Sequence, residues 1–185
     1  MSNIIGSIGL GAMGGSYALH LLNNGYEVYG LDPNHKSSNI FTLAGGKLLN
    51  NINDLINKSD VIILSLPTVP IFKSVISEIE ENYVKSNTKI LIDMNTISFE
   101  DKLEAKIILD RLNINMIDAP VSGTGAQAKT KDLVVMSSGL EESINSCQDI
   151  FLSFARQNIY VGDFGNGIKF KLLANLLVTV HNTVT

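Results

Sequence analysis

A doubly wound, mostly parallel α/β sheet is the fold this sequence predicts, on three observations. Residues 4–16, IIGSIGLGAMGGS, run from a short apolar stretch through a glycine-rich turn straight into a helical pattern, Tyr17, Ala18, Leu21, Leu22. Two further stretches, 61–66 and 89–93, are nearly continuous in Val, Ile and Leu, as strands buried on both faces of a parallel sheet are. Strand-like and helix-like segments then alternate along the whole chain, which is the pattern of strands joined by crossover helices.

The bulk numbers agree with one large core. A chain of 185 residues, 45% hydrophobic and 17% charged, is globular in composition. A net charge of −4 without clustered basic residues argues against a nucleic-acid surface. Cys147 is the single cysteine, so an internal disulfide is excluded, and no neighbours stand at metal-ligand spacing. It fits a reducing cytoplasm and reads as a helix residue. Glycines interrupt the first apolar run long before membrane-spanning length. The expectation is a cytoplasmic, soluble protein with no nucleic-acid, membrane or metal partner.

In order along the chain, Gly9-Leu10-Gly11-Ala12-Met13-Gly14 follows the first strand in a G-x-G-x-x-G pattern. Gly9 allows the tight turn, Gly11 leaves room for a pyrophosphate beside the backbone, and Gly14 lets the helix lie close to the strand. The free N–H groups of the helix start face the phosphates. A second strand, 27–31, ends in Asp32, eighteen positions after Gly14, where an acidic side chain accepts from ribose hydroxyls and repels a 2′-phosphate. NAD is therefore favoured over NADP, although Lys36 is close enough in sequence to reach a 2′-phosphate. A turn at 33–35 leads to a helix over 36–44, a brief strand over 47–49, and a short helix capped by Asn53 or Asp54. Pro67 and Pro70 punctuate the loop after the 61–66 strand, and 71–83 has helical periodicity. Ser98 is the N-cap of a helix over 99–112, with Glu100 and Asp101 in its first turn. Strands follow at 115–118, 133–137 and 158–161, with one helix over 141–155. From Ile168 a very apolar helix (Phe170, Leu172, Leu173, Leu176, Leu177, Val180) is still running at Thr185. Ligands of such sheets sit at the carboxyl ends of the strands, so the loops at 9–14, 32–36, 66–70, 94–98 and 119–128 are expected to converge on one crevice.

Four segments, IGSIGLGAMG (5–14), DMNTIS (93–98), DAPVSGTGAQA (118–128) and GNGIKFKLLAN (165–175), stand in the order and at the separations of the β-hydroxyacid dehydrogenase family. The chain resembles that family, which includes 3-hydroxyisobutyrate dehydrogenase and the tartronate semialdehyde and succinic semialdehyde reductases. The resemblance implies an NAD(P)-binding Rossmann domain over 1–164. Residues 165–185 are then the beginning of an interdomain helix, with the all-helical second domain absent from this chain. The activity it implies is hydride transfer between a nicotinamide and a small 3-hydroxy acid or its semialdehyde.

By the same resemblance, Gly9, Leu10, Gly11, Ala12, Met13, Gly14, Asp32, Leu66, Pro67 and Thr96 bind cofactor. Ser122, Gly123 and Thr124 receive the substrate carboxylate, with Thr96 and Asn175 beside the substrate. Relatives usually carry a second glycine in place of Thr124 and often one in place of Gln127, so this loop is bulkier. Lys171, which Gly165 and Gly167 precede in a G-x-G-x-x-x-K pattern, is the general acid/base; Asn175 shares its helix face by i, i+4 spacing. His20, His35 and His181 form no triad or ligand set, and His20 reads as structural. Two other readings stay open: an NADPH-dependent glyoxylate or succinic semialdehyde reductase, and a dinucleotide-binding module without turnover. The exposed apolar face of the last helix predicts a homo-oligomer.

Overall fold

The computed structural model describes residues 4–83 and 87–184. Its centre is a six-stranded sheet of β1 (Ile4–Ile8), β2 (Glu27–Leu31), β3 (Lys47–Leu48), β4 (Val61–Leu64), β5 (Ile90–Asp93) and β6 (Asn115–Asp118). The strands lie in the order β3-β2-β1-β4-β5-β6, and every neighbouring pair is parallel. From β1 the chain winds outward through β2 and β3, then returns to the other side of β1 for β4, β5 and β6. The order thus reverses between β1 and β4, the point at which such sheets open a ligand crevice.

Alternate residues of the buried strands feed two cores. Ile5, Ile63 and Ile92 point to the side covered by α1 (Gly14–Asn23) and by Phe151 and Phe154, where the Tyr17 and Phe154 rings lie 4.7 Å apart. Burial pushes the Tyr17 hydroxyl well above its ordinary value. Ile62, Leu64 and Leu91 point to the other side, under α3 (Ile52–Lys58), α4 (Val69–Asn82) and α5 (Phe99–Arg111). Side chains cap most of the helices. Asn34 caps α2 (His35–Leu43), Asn51 caps α3, Thr68 caps α4 and Ser98 caps α5.

Several local expectations shift. The α3 cap is Asn51, whose Oδ1 accepts the Asp54 N–H at 2.8 Å, and not Asn53 or Asp54. Pro70 lies inside the first turn of α4, where its missing N–H costs nothing, so α4 starts two residues earlier than its periodicity indicates. The helix expected over 141–155 is two helices, α7 (Glu141–Ser146) and α8 (Gln148–Phe154), with Cys147 between them. There the Ser146 hydroxyl turns back to the Ser143 carbonyl at 2.7 Å, and Cys147 is buried in the core. Burial pushes its thiol up to about 11.

A second, three-stranded sheet was not legible in the pattern. It pairs β7 (Val121–Ser122) antiparallel to β8 (Val134–Ser137), and β8 parallel to β9 (Gln157–Tyr160). The five-residue α6 (Gly125–Lys129) sits between β7 and β8. The last helix, α9 (Asn166–Val184), packs its first turn onto β6 and β8. Beyond that turn Phe170, Leu172, Leu173, Leu176 and Leu177 are each more than half exposed. Among the described residues no helix is long and apolar enough to cross a membrane, and no group of acidic, histidine or cysteine side chains is placed to hold a metal ion.

Candidate functional site

The glycine turn folds as its three glycines demand. At Gly9, with φ +91°, a Cβ would stand 2.1 Å from the Ser65 carbonyl oxygen; at Gly14 it would stand 2.0 Å from that of Gly9. Both positions seal the turn against β4. At Gly11 a Cβ would meet nothing within 4 Å, so that face of the turn is open. α1 starts at Gly14 without the side-chain cap that α2 to α5 each carry, and no acidic residue stands in its first turn. An uncapped helix start beside an open glycine favours an anion through unpaired N–H groups and the helix dipole.

These residues border a crevice of about 850 Å³ at the carboxyl ends of β1, β2 and β4. Gly9, Gly11, Ala12, Met13, Asp32, Leu66 and Pro67 line it, and beyond Asp32 it continues past Pro33, Asn34, Ser37 and Asn51. The volume suits a cofactor-sized ligand, with the glycine turn and Asp32 in its lining. Three of the expected cofactor residues do not line it: Leu10, Gly14 and Thr96, the last exposed after β5. The Leu10 side chain is buried in the core, and Gly14 is buried beneath the turn. Asp32 also does more than was foreseen. Its Oδ2 accepts the Leu10 N–H at 2.6 Å and its Oδ1 the Asn34 N–H at 2.7 Å.

The substrate-side residues lie outside this crevice, on the next elements along the sheet. The position of a Cβ on Gly125 would be 3.9 Å from that of Ala12, so the 119–128 loop abuts the glycine turn. The ring of His20, in α1, holds α6 through the Ala128 carbonyl at 2.9 Å, the structural role expected for it. Ser122 and Thr96 are exposed. Gly123 takes φ +137°, with Leu133 filling the place of a side chain. Thr124 is differently engaged: it caps α6, and Gln127 Oε1 accepts both its N–H (3.0 Å) and its hydroxyl (3.2 Å). The pattern T-x-x-Q was a signal available in the sequence for this capping box.

Lys171 sits on the second turn of α9, half-buried, and burial lowers it from the ordinary lysine range. Asn175 lies one turn further on the same face and is exposed. The two glycines before Lys171 are explained by contact. A Cβ at Gly165 would strike the Phe99 ring, and one at Gly167 would strike Met136 O and Asp118. A residue the sequence did not single out lies beneath all of this. Lys102 is fully buried, with Nζ 2.6 Å from Asp93 Oδ2 and 2.9 Å from Asp118 Oδ1. Burial alone disfavours its ammonium, yet the two carboxylates outweigh that and hold it above the usual lysine value.

Comparison with known proteins agrees with this geometry. Residues 4–162 match the family model described as the NAD binding domain of 6-phosphogluconate dehydrogenase. The chain is 30% identical over 177 residues to 2-(hydroxymethyl)glutarate dehydrogenase of Eubacterium barkeri, covering 94% of this chain and 58% of that protein. It is 28% identical over 179 residues to the mitochondrial 3-hydroxyisobutyrate dehydrogenase of Homo sapiens, covering 95% and 53%. The solved 3-hydroxyisobutyrate dehydrogenase of Mycobacterium tuberculosis, with L-serine, superimposes with a TM-score of 0.93 at 25% identity, over 100% of this chain and 62% of that one. The chain thus spans a little over half the length of the curated relatives it matches. Its cofactor is a nicotinamide dinucleotide, and it belongs to the family of the NAD-binding domain of 6-phosphogluconate dehydrogenase, on the branch that resembles the 3-hydroxyisobutyrate dehydrogenases.

Proposed function

We propose that this chain is the cofactor-binding part of an NAD-dependent oxidoreductase that acts on a small 3-hydroxy acid or its semialdehyde, of the 3-hydroxyisobutyrate kind. One juxtaposition carries the reading: the 119–128 loop abuts the glycine turn at Gly125 and Ala12, while the first turn of α9, just ahead of Lys171, is docked on Asp118 at the head of that loop. Residues 1–164 form the dinucleotide domain in this reading. Residues 165–185 open an interdomain helix whose apolar face a helical second domain covers, and the whole protein is a cytoplasmic homo-oligomer.

A nicotinamide held in the crevice would supply hydride chemistry, to the carbonyl carbon in reduction and from the carbinol carbon in oxidation. The residues of this chain do the remaining work. The Ser122 hydroxyl and the N–H groups around Gly123 receive the substrate carboxylate. Thr124 adds its own donors once Gln127 releases them. Lys171 Nζ gives a proton to the carbonyl oxygen in reduction and removes it from the hydroxyl in oxidation, a task suited to an amine whose burial eases proton loss. Asn175 and Thr96 orient the reacting groups. Asp32 disfavours a 2′-phosphate, which makes NAD the preferred form.

The test is turnover of 3-hydroxyisobutyrate and related 3-hydroxy acids with NAD by the full polypeptide that carries this chain. Lys171→Ala is expected to lower kcat by about 10²–10⁴-fold with NADH binding retained. Near-normal turnover in that variant contradicts the proposed role of Lys171. A second reading, a dinucleotide-binding module without turnover, is favoured by the exposure of Asn175 and by Gln127 holding the Thr124 donors. Absence of turnover on the whole panel, with tight NADH binding, selects it.

A further inference from the structure

Asp93 and Asp118 end adjacent parallel strands and stand opposite each other in register. Both are fully buried, and like charges side by side in a sheet repel. Lys102 enters between them from α5, where Lys102, Ala105 and Leu109 form the inward stripe. Removing such a cluster from water is costly, and well-packed apolar residues in its place are often no less stable. Stability alone therefore does not account for it.

The other atoms of the two carboxylates lead out of the cluster in opposite directions. Asp93 Oδ1 accepts from the Asn95 N–H at 3.1 Å and from Asn95 Nδ2 at 2.6 Å, and Asn95 Oδ1 accepts the N–H of Leu66, in the wall of the dinucleotide crevice. Asp118 Oδ2 accepts the Ile168 N–H at 2.9 Å and the Ser138 hydroxyl at 3.0 Å. Ser138 Oγ in turn accepts the Gly167 N–H at 2.9 Å. The first turn of α9 is thus capped from outside by this cluster, three residues before Lys171. Both arms end on backbone N–H groups: the Asp118 carboxylate holds the Ile168 N–H directly in a charge-assisted hydrogen bond, and the Asn95 amide, itself held by Asp93, accepts the Leu66 N–H.

We propose that Lys102 is a positioning residue: joining Asp93 to Asp118, it sets the placement of the crevice wall at Leu66 relative to the first turn of the helix that carries Lys171. The proposal rests on the reading of the crevice as the dinucleotide site. Lys102 touches neither cofactor nor substrate; it acts through Asn95 on one side and through Ser138 and the N–H of Ile168 on the other.

The experiment is calorimetric titration of the 185-residue chain with NADH, paired with amide hydrogen exchange over residues 166–172, below the unfolding range of each variant. Lys102→Met is compared with Leu109→Ala, which opens a cavity on the same face of α5 without touching the cluster. Lys102→Met is expected to weaken NADH binding at least about tenfold and to speed exchange at residues 167–171 more than in β1 and β4. Leu109→Ala is expected to lower the unfolding temperature and leave the NADH Kd within about twofold. A folded Lys102→Met with the wild-type Kd and wild-type exchange overturns the proposal. Should Lys102→Met not fold, Asn95→Ala and Ser138→Ala cut the arms singly. The first is then expected to weaken NADH binding and the second to speed exchange at α9, and silence in both overturns the proposal. A wild-type chain that binds no NADH removes the dinucleotide reading and the Leu66 arm, while exchange at α9 still decides the other arm.

Discussion

The carboxylate of Asp32 accepts a hydrogen bond from the backbone N–H of Leu10 at 2.6 Å, tying the end of β2 to the glycine turn. Its other oxygen holds the Asn34 N–H at 2.7 Å. Asp32 therefore shapes the phosphate loop as well as standing where the ribose is expected. Its removal is not a clean exchange of NAD for NADP. Asp32→Ala is expected to lower unfolding stability by about 1 kcal/mol, the cost of leaving the part-buried Leu10 N–H without its acceptor, since the Asn34 N–H is exposed and turns to water. It is also expected to weaken NADH binding and to narrow the preference for NADH over NADPH. Urea unfolding and parallel titrations check this, and an Asp32→Ala chain that gains NADPH affinity at unchanged stability contradicts it.

The glycine turn separates folding from binding. At Gly11 an added Cβ meets nothing, whereas at Gly14 it collides with the Gly9 carbonyl. Gly11→Ala is expected to fold with stability within about 0.5 kcal/mol of wild type, as surface changes do. It is expected to bind NADH at least about tenfold more weakly, because the methyl occupies the phosphate approach. Gly14→Ala is expected to lose stability by about 1–3 kcal/mol or more through backbone displacement. Equal NADH affinity in Gly11→Ala argues that nothing docks on this turn.

Burial lowers the Lys171 amine from its ordinary value of 10.5. A lowered lysine value means the folded state favours the neutral amine more than the unfolded chain does. Its contribution to stability is present above 10.5 and is lost as pH falls through the lower folded value. In the window between the two, Lys171 carries more free amine than an unperturbed lysine, which is the form a general base requires. Titration of the carbon-13-methylated amine by NMR is expected to give a midpoint below 10.5, and a midpoint at or above it removes the basis for the proton-transfer role.

The sheet was legible because its strands are short apolar runs, and a parallel sheet writes itself in that way. Val61–Leu64, Ile90–Asp93 and Asn115–Asp118 fall within a residue or two of their sequence-based bounds. The glycine turn was legible because each glycine answers a steric demand that is local. What escaped notice is non-local or very short. Lys102 reads as a solvated helix lysine until Asp93 and Asp118 are brought into register, although its place on the stripe with Ala105 and Leu109 is a signal. β7 is two residues long and α6 five, too short for periodicity to register. Ser122 and Gly123 owe their placement to that pairing with β8, and the donors of Thr124 are taken by a side chain three residues away.

Paired calorimetric titrations of the wild-type chain with NADH and NADPH decide whether the crevice at the glycine turn and Asp32 holds NAD. One NADH per chain is expected, with NADPH weaker by at least about tenfold, since a 2′-phosphate beside the Asp32 carboxylate costs more than about 1.4 kcal/mol. NADPH binding as tight as NADH, or no binding of either, contradicts it.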